Sequence, residues 1–538
     1  MLWKTSSPVF ALITILLVLV QRFALKQPQP QCLSRWYGTA AAVHGTISSA
    51  GSNASVAFNS QCKFFLAESS IPRSGLGVYT AVDIKKGQPA QPTPDICLYI
   101  TDAEKGADHS EIDTHTWQHW RFGASFETRY PGKTRAACQG LVTLFNSMPD
   151  RRYAGVKPAA VRHLIRSQYS NAGLRRDTSP GAGAITHYYG ASSVALQDIP
   201  PGVELMLWDD TWGESGRKKG LGKDETRRVP PVRTLEWLHR YGMCIDNLRP
   251  GPATDPTMGR GAFATRLLPK GVVVAPAPLQ VFRDRSEFGK KSPEQLFVNY
   301  CFQPRGSQML LFPYGPNFGL INHSKKPNVL LRWSAFYMNH ERWLDLSIDQ
   351  FWEMQYPGSL MVEAIALRDI HEGEEIYMDY GDEWENAWND HLRNWKPVAN
   401  AKRYAYPGDM DLSAPFRTVA EQKDSPYPKN LMTVCETFTI NRPGNTVVEW
   451  RQNNEDWPSN LVDCEILART NNNRGSYVYN VSLWSNWNAT YIDYNVRHEA
   501  ISFVDRPYKS DQHLKNAFRH PIGLPDEMTP QQWRGGYK

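Results

Sequence analysis

The chain has 538 residues, of which 41% are apolar and 12% aromatic, and its 60 Lys and Arg outnumber its 54 Asp and Glu by six. This length corresponds to about three or four domains of ordinary size, and the apolar content excludes a globally disordered protein. A surplus of six charges over the whole chain does not indicate a nucleic-acid-binding protein. We therefore expect a multidomain globular protein with no nucleic-acid partner.

The N-terminal segment predicts entry into the secretory pathway. An apolar run at residues 8–20 lies between Lys4 and Arg22, which is typical of a signal sequence. We predict a signal peptide or signal anchor at residues 1–25, with membrane anchoring through residues 8–25 where it is not cleaved. The expected location is the endomembrane system, either luminal or signal-anchored.

Residues 26–64 are predicted to be a flexible segment of low acidity. The sequence contains no Asp or Glu before Glu68, and Ala, Ser and Gly are frequent in this stretch. The same composition occurs in organelle transit peptides. A plastid reached by a signal followed by a transit-like segment is therefore the alternative location.

The eight cysteines are scattered along the chain without a C-x-C or C-x-x-C pair. Structural zinc sites are usually built from such pairs, so we predict no metal site. An even number of cysteines permits disulfides in an oxidising compartment. The spacing fits buried free thiols equally well, and the pairing stays open.

Two stretches of the chain carry the same order of signals. The first consists of residues 75–87 followed by 194–208, and the second of residues 259–271 followed by 364–380. Repeated order at similar separations indicates a duplicated, domain-sized unit. We place the first copy at 65–212, a charged Gly/Pro linker at 213–233, the second copy at 234–396, a further linker at 397–424, and a C-terminal module at 425–538.

Short β segments broken by Gly and Pro favour a mainly β protein with short helices, of the α+β class. Residues 234–242 predict one short helix, because a Thr precedes an amphipathic run that ends at Gly. The C-terminal module is predicted to be a small β-barrel or sandwich, with a helix at residues 510–520. Its five predicted strands are 431–440, 447–451, 461–469, 477–484 and 500–504.

The second copy contains three motifs in a fixed order. They are G-R-G-A-F at residues 259–263, N-H-S-K-K-P-N at 322–328, and G-E-E-I-Y-M-D-Y-G at 373–381. In this order they resemble the SET-domain protein methyltransferases. The resemblance covers residues 235–390 well and residues 65–212 in degraded form. It implies two SET-like β-folds in tandem, followed by the C-terminal module.

The resemblance implies that the second copy transfers a methyl group from S-adenosylmethionine to a lysine of a protein or peptide substrate. Tyr380 matches the catalytic tyrosine of the family. A neutral lysine amine must meet the methyl group in a narrow, dry channel, and a phenol supplies both a wall and an oxygen. The residues expected at the cofactor are Gly259, Arg260, Gly261, Phe263, Asn322, His323 and Trp384, and those expected along the lysine channel are Tyr314 and Tyr377.

Two carboxylates and one asparagine near these motifs receive other interpretations. Glu374 and Glu375 are predicted to lie in a solvated turn rather than to act as acid and base. The resemblance implies that Asn328 holds the surrounding loop.

The first copy departs from the family where the chemistry would be needed. It keeps an Asn-Ser remnant at residues 146–147 without the histidine, and Trp208 stands where the alignment expects the tyrosine. We therefore predict a copy without catalysis. The alternative for the whole chain is a non-catalytic, SET-like peptide-recognition protein of the secretory pathway.

The C-terminal module resembles small Tudor-like barrels, whose aromatic cages bind methylated side chains. The favoured interpretation of its aromatic residues is a packed core, because their alternation suits packing, and the cage is the alternative. The candidates for such a cage are Trp450, Trp457, Tyr477, Tyr479 and Trp484. The sequence leaves the methyl acceptor and the oligomeric state open.

Overall fold

The structure is a computed structural model. It describes residues 61–71, 74–101, 134–148, 155–163, 174–185, 189–208, 232–288, 295–336, 341–353, 360–442, 445–449, 460–471, 477–484, 490–506 and 509–534. The predicted signal segment at 1–25 and most of the predicted segments 26–64 and 213–233 lie outside the described residues. Within the described part of the chain, no helix is long and apolar enough to cross a membrane.

Strands dominate the described residues and the helices are short, which confirms the predicted fold class. The first copy contains β1 (Phe64–Glu68), β2 (Leu76–Thr80), β3 (Asp95–Thr101), β4 (Thr134–Gln139), β5 (Asn146–Met148), β6 (Val156–His163), β7 (Tyr189–Ala195) and β8 (Met206–Trp208). Strands β1 and β2 form a hairpin to which β9 of the second copy adds. The other strands form one sheet in the order β4-β3-β7-β6-β8-β5.

The second copy begins with α1 (Leu235–Tyr241), which confirms the helix predicted at residues 234–242. Thr234 caps this helix by accepting a hydrogen bond from the Trp237 amide at 3.2 Å. The strands and helices that follow are β9 (Met243–Cys244), β10 (Leu248–Pro252), β11 (Arg260–Ala264), β12 (Val273–Phe282), β13 (Phe302–Gln303), β14 (Leu310–Pro313), β15 (Asn322–His323), β16 (Val329–Trp333), α2 (Ile348–Glu353), β17 (Met361–Ala366), β18 (Tyr377–Met378) and α3 (Asp382–Asn394).

Strand pairings in the two copies correspond. The β1–β2 hairpin pairs Phe64 with Thr80, and the β10–β11 hairpin pairs Leu248 with Ala264, each with five residue pairs. Each copy also has a short parallel pair, β5 with β8 and β15 with β18. The strand framework of the first copy therefore repeats in the second.

The register of the parallel pairs corrects one sequence alignment. Asn146 pairs with Met206 in the first copy, and Asn322 pairs with Tyr377 in the second. Met206 therefore corresponds to Tyr377, and Trp208 corresponds to Asp379. The alignment of Trp208 with Tyr380 is wrong by one residue, because the register is set by backbone pairing and not by aromatic character. In the corrected sequence alignment Tyr380 corresponds to Asp209, which lies outside the described residues.

The C-terminal region forms a six-stranded sheet that includes all five predicted strands. Its members are β19 (Leu431–Arg442), β20 (Asn445–Glu449), β21 (Asn460–Asn471), β22 (Tyr477–Trp484), β23 (Thr490–Arg497) and β24 (Ile501–Asp505). Strand β23 was not predicted from the sequence. Its register against β22 shifts along the strand, and it contains Asn495 at φ 59°. Both features interrupt the regular alternation on which the strand prediction rests.

The helix predicted at residues 510–520 is wrong, because the structure has only a 3₁₀ turn at Asp511–His513 there. The segment is too short to be stable as an isolated helix, and side chains satisfy its backbone instead. Arg519 donates to the Gln512 carbonyl at 2.9 Å, and Asn299 donates to the Phe518 carbonyl at 2.9 Å. Strand β25 (Ile522–Gly523) then pairs in parallel with β13. The end of the chain therefore adds to the sheet of the second copy, and the predicted module 425–538 does not stay together as one unit.

The cores of the two copies interlock. Ile96 and Leu98 of the first copy are buried within the main core of the second, and Met361 of the second copy is buried in the core of the first. Tyr314 packs against both cores. The copies consequently share apolar surface that neither could bury alone.

Three disulfides join described cysteines, and Cys301 is a buried free thiol. One joins the two copies, one crosses the β3–β4 pair, and one links β19 to β21. These bonds are Cys62–Cys244, Cys97–Cys138 and Cys435–Cys464.

Candidate functional site

A buried carboxylate lies at the base of the site. Glu375 is 4% exposed, and it accepts hydrogen bonds from the Asn322 side-chain amide at 3.0 Å, the Tyr377 hydroxyl at 2.6 Å and the Thr254 backbone amide at 2.7 Å. The prediction of a solvated turn is therefore wrong for Glu375. The backbone of this residue forms an antiparallel β-bridge with Phe263 of the β10–β11 hairpin, and its side chain is buried. Its neighbour Glu374 is half-buried and pairs with the partly exposed Arg368.

This carboxylate explains why position 261 is a glycine. A Cβ atom on Gly261 would stand 2.1 Å from the Glu375 Oε1 atom, far inside van der Waals contact. The resemblance places Gly261 at the cofactor, whereas in the structure the protein's own carboxylate fills the space that a side chain at this position would take. Gly259 has φ 75°, a backbone conformation that suits glycine.

Asn322 and Asn328 hold the strands that carry the site. The Asn322 amide nitrogen donates to the Arg260 carbonyl at 2.7 Å as well as to Glu375. The Asn328 amide nitrogen donates to the Glu375 carbonyl at 2.8 Å, and its oxygen accepts from the Tyr377 amide at 2.8 Å. These bonds agree with the expectation that Asn328 fixes the loop, and they place Asn322 and Arg260 beside each other.

Above this polar base, His323, Tyr380 and Trp384 form an aromatic cluster. The ring centroids are 5.4 Å apart for His323 and Tyr380, 5.0 Å for His323 and Trp384, and 4.9 Å for Tyr380 and Trp384. The parallel pair β15–β18 brings His323 to the end of β18, and α3 begins directly after Tyr380 and Gly381 and presents Trp384. Three predicted site residues, His323 and Tyr380 from two motifs and Trp384 from the helix that follows, are thereby in contact.

The phenol of Tyr380 is held in its neutral form. Burial, reinforced by the nearby Tyr300, raises the pKa of Tyr380 well above its usual value. Its hydroxyl donates to the Ile321 carbonyl at 2.5 Å. A phenol that keeps its proton offers an oxygen lone pair at a fixed position, but it does not act as a general base.

His323 is held neutral by its surroundings. Its Nδ1 atom accepts a hydrogen bond from the Tyr380 backbone amide at 3.0 Å, so the ring proton lies on Nε2. Burial lowers the pKa of His323 below its usual value, against the opposing effect of Asp379. The imidazole therefore positions the backbone of Tyr380 as long as it stays unprotonated.

The sequence reading missed Tyr300 as part of this site. Tyr300 is 4% exposed and ends the 3₁₀ helix Leu296–Tyr300, and its charge interaction with Tyr380 raises the Tyr380 pKa. Tyr300 stands alone between Asn299 and Cys301 and belongs to no motif, so the sequence carries no signal for its role.

The two predicted channel tyrosines have other contacts. The Tyr377 hydroxyl donates to Glu375, and burial together with this bond raises the pKa of Tyr377 to about 12. The Tyr314 carbonyl accepts from the Gly140 amide of the first copy at 3.2 Å. Phe263 lies half-buried on β11 next to the guanidinium of Arg249. The roles of Tyr314 and Tyr377 toward a substrate, and of Phe263 toward the cofactor, stay predictions.

The residues at the site fit a cofactor with a flat ring and a positive centre. Helix α3 has no fully buried residue, yet it carries Trp384 and Trp388, whose stacked rings are 6.0 Å apart. Half-buried aromatic faces of this kind bind flat rings and cations, and the neutral His323 adds a ring N–H donor. S-adenosylmethionine has both an adenine ring and a sulfonium, so the side chains present are chemically suited to it.

A sequence model of the SET domain matches residues 259–381. Among solved structures, a Plasmodium falciparum protein described as a candidate histone methyltransferase is 19% identical over 26% of this chain and 96% of its own, with a TM-score of 0.18. A polycomb repressive complex 2 from Chaetomium thermophilum is 22% identical over 25% of this chain, with a TM-score of 0.19. A further polycomb repressive complex 2 structure, bound to S-adenosylmethionine, is 22% identical over 27% of this chain, also with a TM-score of 0.19.

The matched region is a small part of the polycomb proteins, since it covers 15% and 16% of those two chains. No curated protein sequence matches this chain. The family assignment accordingly rests on the sequence model, whose matched residues include the glycine loop, the Asn322–His323 strand and Tyr380. Residues 259–381 of this chain form a SET domain.

Proposed function

We propose that the second copy is a protein lysine methyltransferase that uses S-adenosylmethionine. The observation that carries this proposal is the contact of His323 and Tyr380, both inside the matched SET region, with each other and with Trp384 just beyond it. His323 and Tyr380 come from two separate motifs, Trp384 comes from the following helix, and the three meet around one neutral phenol. Gly259, Gly261 and Asn322 support the cluster through the backbone beneath it.

The proposed chemistry needs little acid–base work from the protein. When bound, S-adenosylmethionine supplies an electrophilic methyl group on a positively charged sulfur. The buried phenol of Tyr380 orients the incoming amine through its oxygen, since its proton is already donated to Ile321. A lysine amine that becomes buried beside this phenol would favour its neutral form, because burial disfavours the charged form. His323 keeps the Tyr380 backbone in place.

The direct test is methyl transfer by the purified full chain. Tritium-labelled S-adenosylmethionine is incubated with a peptide library in which one lysine is fixed and the flanking positions vary. The proposal expects label in methyl-lysine after hydrolysis of the peptides. A folded protein that binds the cofactor but labels no lysine would favour the alternative, a peptide-recognition protein.

We propose that the first copy has no methyltransferase activity. By register, Ser147 occupies the position of His323, and Asp209 follows Trp208 at the position of Tyr380. A serine cannot offer the ring nitrogen that accepts the Tyr380 amide bond in the second copy. This copy instead contributes apolar surface to the shared cores.

We also propose that the protein works in the secretory pathway, as the N-terminal signal pattern predicts. Three disulfides among the described cysteines favour this location, because such bonds persist in oxidising compartments. Mass spectrometry of the native protein after thiol alkylation tests the point. Alkylated Cys97 and Cys138 in protein isolated from its own cells would contradict it.

A further inference from the structure

The last part of the chain returns to the SET domain from the C-terminal sheet. After β24 ends at Asp505, residues 509–534 run back across the second copy, and β25 joins the edge of its sheet. Trp533 is 1% exposed and belongs to the core of that copy. This return segment, residues 509–534, is therefore an integral part of the domain that carries the site.

Strand β25 lies between the two chain segments that carry Tyr300 and Tyr380. On one side, the Ile522 amide donates to the carbonyl of Cys301, the residue after Tyr300, at 2.8 Å. On the other side, the Gly523 amide donates to the Tyr380 carbonyl at 3.0 Å. Two backbone hydrogen bonds thus fix the separation of the two tyrosine-bearing segments.

A second contact reaches the aromatic cluster from the same segment. The ring of Phe518, which is 6% exposed, stands edge-on to Trp384 at 5.5 Å and to Trp388 at 5.0 Å. Trp384 in turn stands edge-on to Tyr380. A continuous line of rings therefore connects the return segment to the phenol.

Asn299 fastens Phe518 in this position. Its side-chain amide donates to the Phe518 carbonyl at 2.9 Å and accepts from the His520 backbone amide at 2.9 Å. Asn299 immediately precedes Tyr300. Its two hydrogen bonds therefore hold the return segment against the same part of the site that β25 contacts. Such side-chain bonds to an irregular backbone hold one conformation where no helix or strand would.

We infer that Phe518 and Gly523 are positioning residues for methyl transfer, which rests on the proposed function of the SET domain. Phe518 fixes the orientation of the Trp384 ring. Gly523 fixes the position of the Tyr380 carbonyl, and therefore of the Tyr380 backbone, through its hydrogen bond. Neither residue reaches the reacting atoms. The return segment follows the C-terminal sheet in the chain and contacts the active site. The C-terminal module therefore has a role in the reaction.

The glycine at position 523 is required by the contact that it makes. A Cβ atom there would stand 3.0 Å from the Tyr380 carbonyl oxygen, so an alanine would displace the Tyr380 backbone by a few tenths of an ångström. Gly155 of the first copy is the matched control, because a Cβ there meets only the end of the Ile199 side chain, at 3.2 Å.

Hydrogen exchange of the full chain gives a test that does not depend on activity. Phe518→Ala should raise exchange of the Tyr380 and Gly523 amides about tenfold, as expected for local opening of a contact. Phe65→Ala, which removes a fully buried ring from the first copy, should leave these two amides unchanged. Faster exchange at Gly523 with unchanged exchange at Tyr380 would overturn the inference.

Kinetics supply the second readout. Gly523→Ala should lower kcat about tenfold, because small misplacements of aligned groups are costly, while the Kd for S-adenosylmethionine stays within about twofold and Gly155→Ala behaves as wild type. Unchanged kcat in both Gly523→Ala and Phe518→Ala would also overturn the inference. A wild-type protein that transfers no methyl group would refute the proposed function and with it the role in methyl transfer, whereas the exchange experiment would still show whether Phe518 and Gly523 hold the Tyr380 backbone.

Discussion

The first and second copies share a buried carboxylate and differ in the residues around it. Glu204 of the first copy is 1% exposed and accepts from the Asn146 side-chain amide at 3.0 Å, as Glu375 accepts from Asn322. A Cβ atom on Gly77 would stand 2.1 Å from Glu204 Oε1, the same distance as for Gly261 and Glu375. Glycine, asparagine and glutamate thus form the same unit twice.

The difference lies above this unit, at the aromatic cluster. The second copy has His323 and Tyr380 there, whereas the first copy has Ser147 at the histidine position, and the sequence alignment that follows from this pairing sets Asp209 opposite the tyrosine. A unit that persists without the cluster serves the fold. The comparison therefore places Gly261, Glu375 and the amide nitrogen of Asn322 in the framework, and it leaves His323 and Tyr380 as the residues for which we propose a role in the chemistry.

The largest expected effect concerns the first copy alone. The Cys97–Cys138 bond closes a loop with a sequence separation of 41, and its removal should lower the free energy of unfolding of that copy by about 4 kcal/mol on loop entropy. Urea unfolding of the Cys97→Ser, Cys138→Ser double variant measures this change. A loss below about 1 kcal/mol would mean that the interlocked cores alone hold the first copy.

The framework assignment predicts matched losses of stability in the two copies. Gly77→Ala and Gly261→Ala each force a methyl group against a buried carboxylate and should each cost about 3 kcal/mol in unfolding free energy, as overpacking does. Only Gly261→Ala should also impair methyl transfer at temperatures where the protein stays folded. Stability loss at Gly261 without any at Gly77 would show that the two units are not equivalent.

The chemical assignment predicts a selective loss of rate. Tyr380→Phe should lower kcat about a hundredfold, because the acceptor amine loses the oxygen that orients it, while the Kd for S-adenosylmethionine and the melting temperature stay close to wild type. Tyr404→Phe, which removes a hydroxyl that bonds to Asp505 away from the site, is the matched control. Parallel losses of cofactor affinity and rate would make Tyr380 a structural residue.

The smallest expected effect is a pH dependence confined to the second copy. Burial depresses the pKa of His323 in the folded state. The contribution of the neutral imidazole, its hydrogen bond from the Tyr380 amide, is therefore complete above the usual histidine pKa of about 6.5. That contribution is lost as the pH falls through the lower, folded-state pKa, because protonation of Nδ1 breaks the bond from the Tyr380 amide. The kcat of the wild type should decline over this pH range. His323→Gln should have a lower kcat that does not decline further over the same range. Identical profiles for the two proteins would contradict this role.

The sequence predicted the parts of the site that are encoded as contiguous motifs. The order of the glycine loop, the Asn322–His323 pair and Tyr380 located the SET domain, and hydrophobic alternation located five of the six strands of the C-terminal sheet. The structure brings His323, Tyr380 and Trp384 into contact, and their roles toward cofactor and substrate stay predictions. Local sequence carries this information because each motif lies on one strand or loop.

Other features depend on contacts between distant segments and left no local signal. Glu375 reads as part of a charged turn, and only its pairing with Asn322 and Gly261 shows that it is buried. Phe518 and Gly523 meet the site after the chain has passed through another sheet. The duplicated Glu204 was the one available clue to Glu375, because a carboxylate at the same place in both copies indicates a common structural role.

The most direct test of the account is calorimetric titration of S-adenosylmethionine into the full chain, with His323→Ala and Ser147→Ala as variants at corresponding positions. The account predicts saturable binding at one site per chain, weakened at least tenfold by His323→Ala, which is about 1.4 kcal/mol, and unchanged by Ser147→Ala. Two sites per chain, or binding that survives His323→Ala and fails with Ser147→Ala, would contradict the assignment of the chemistry to the second copy.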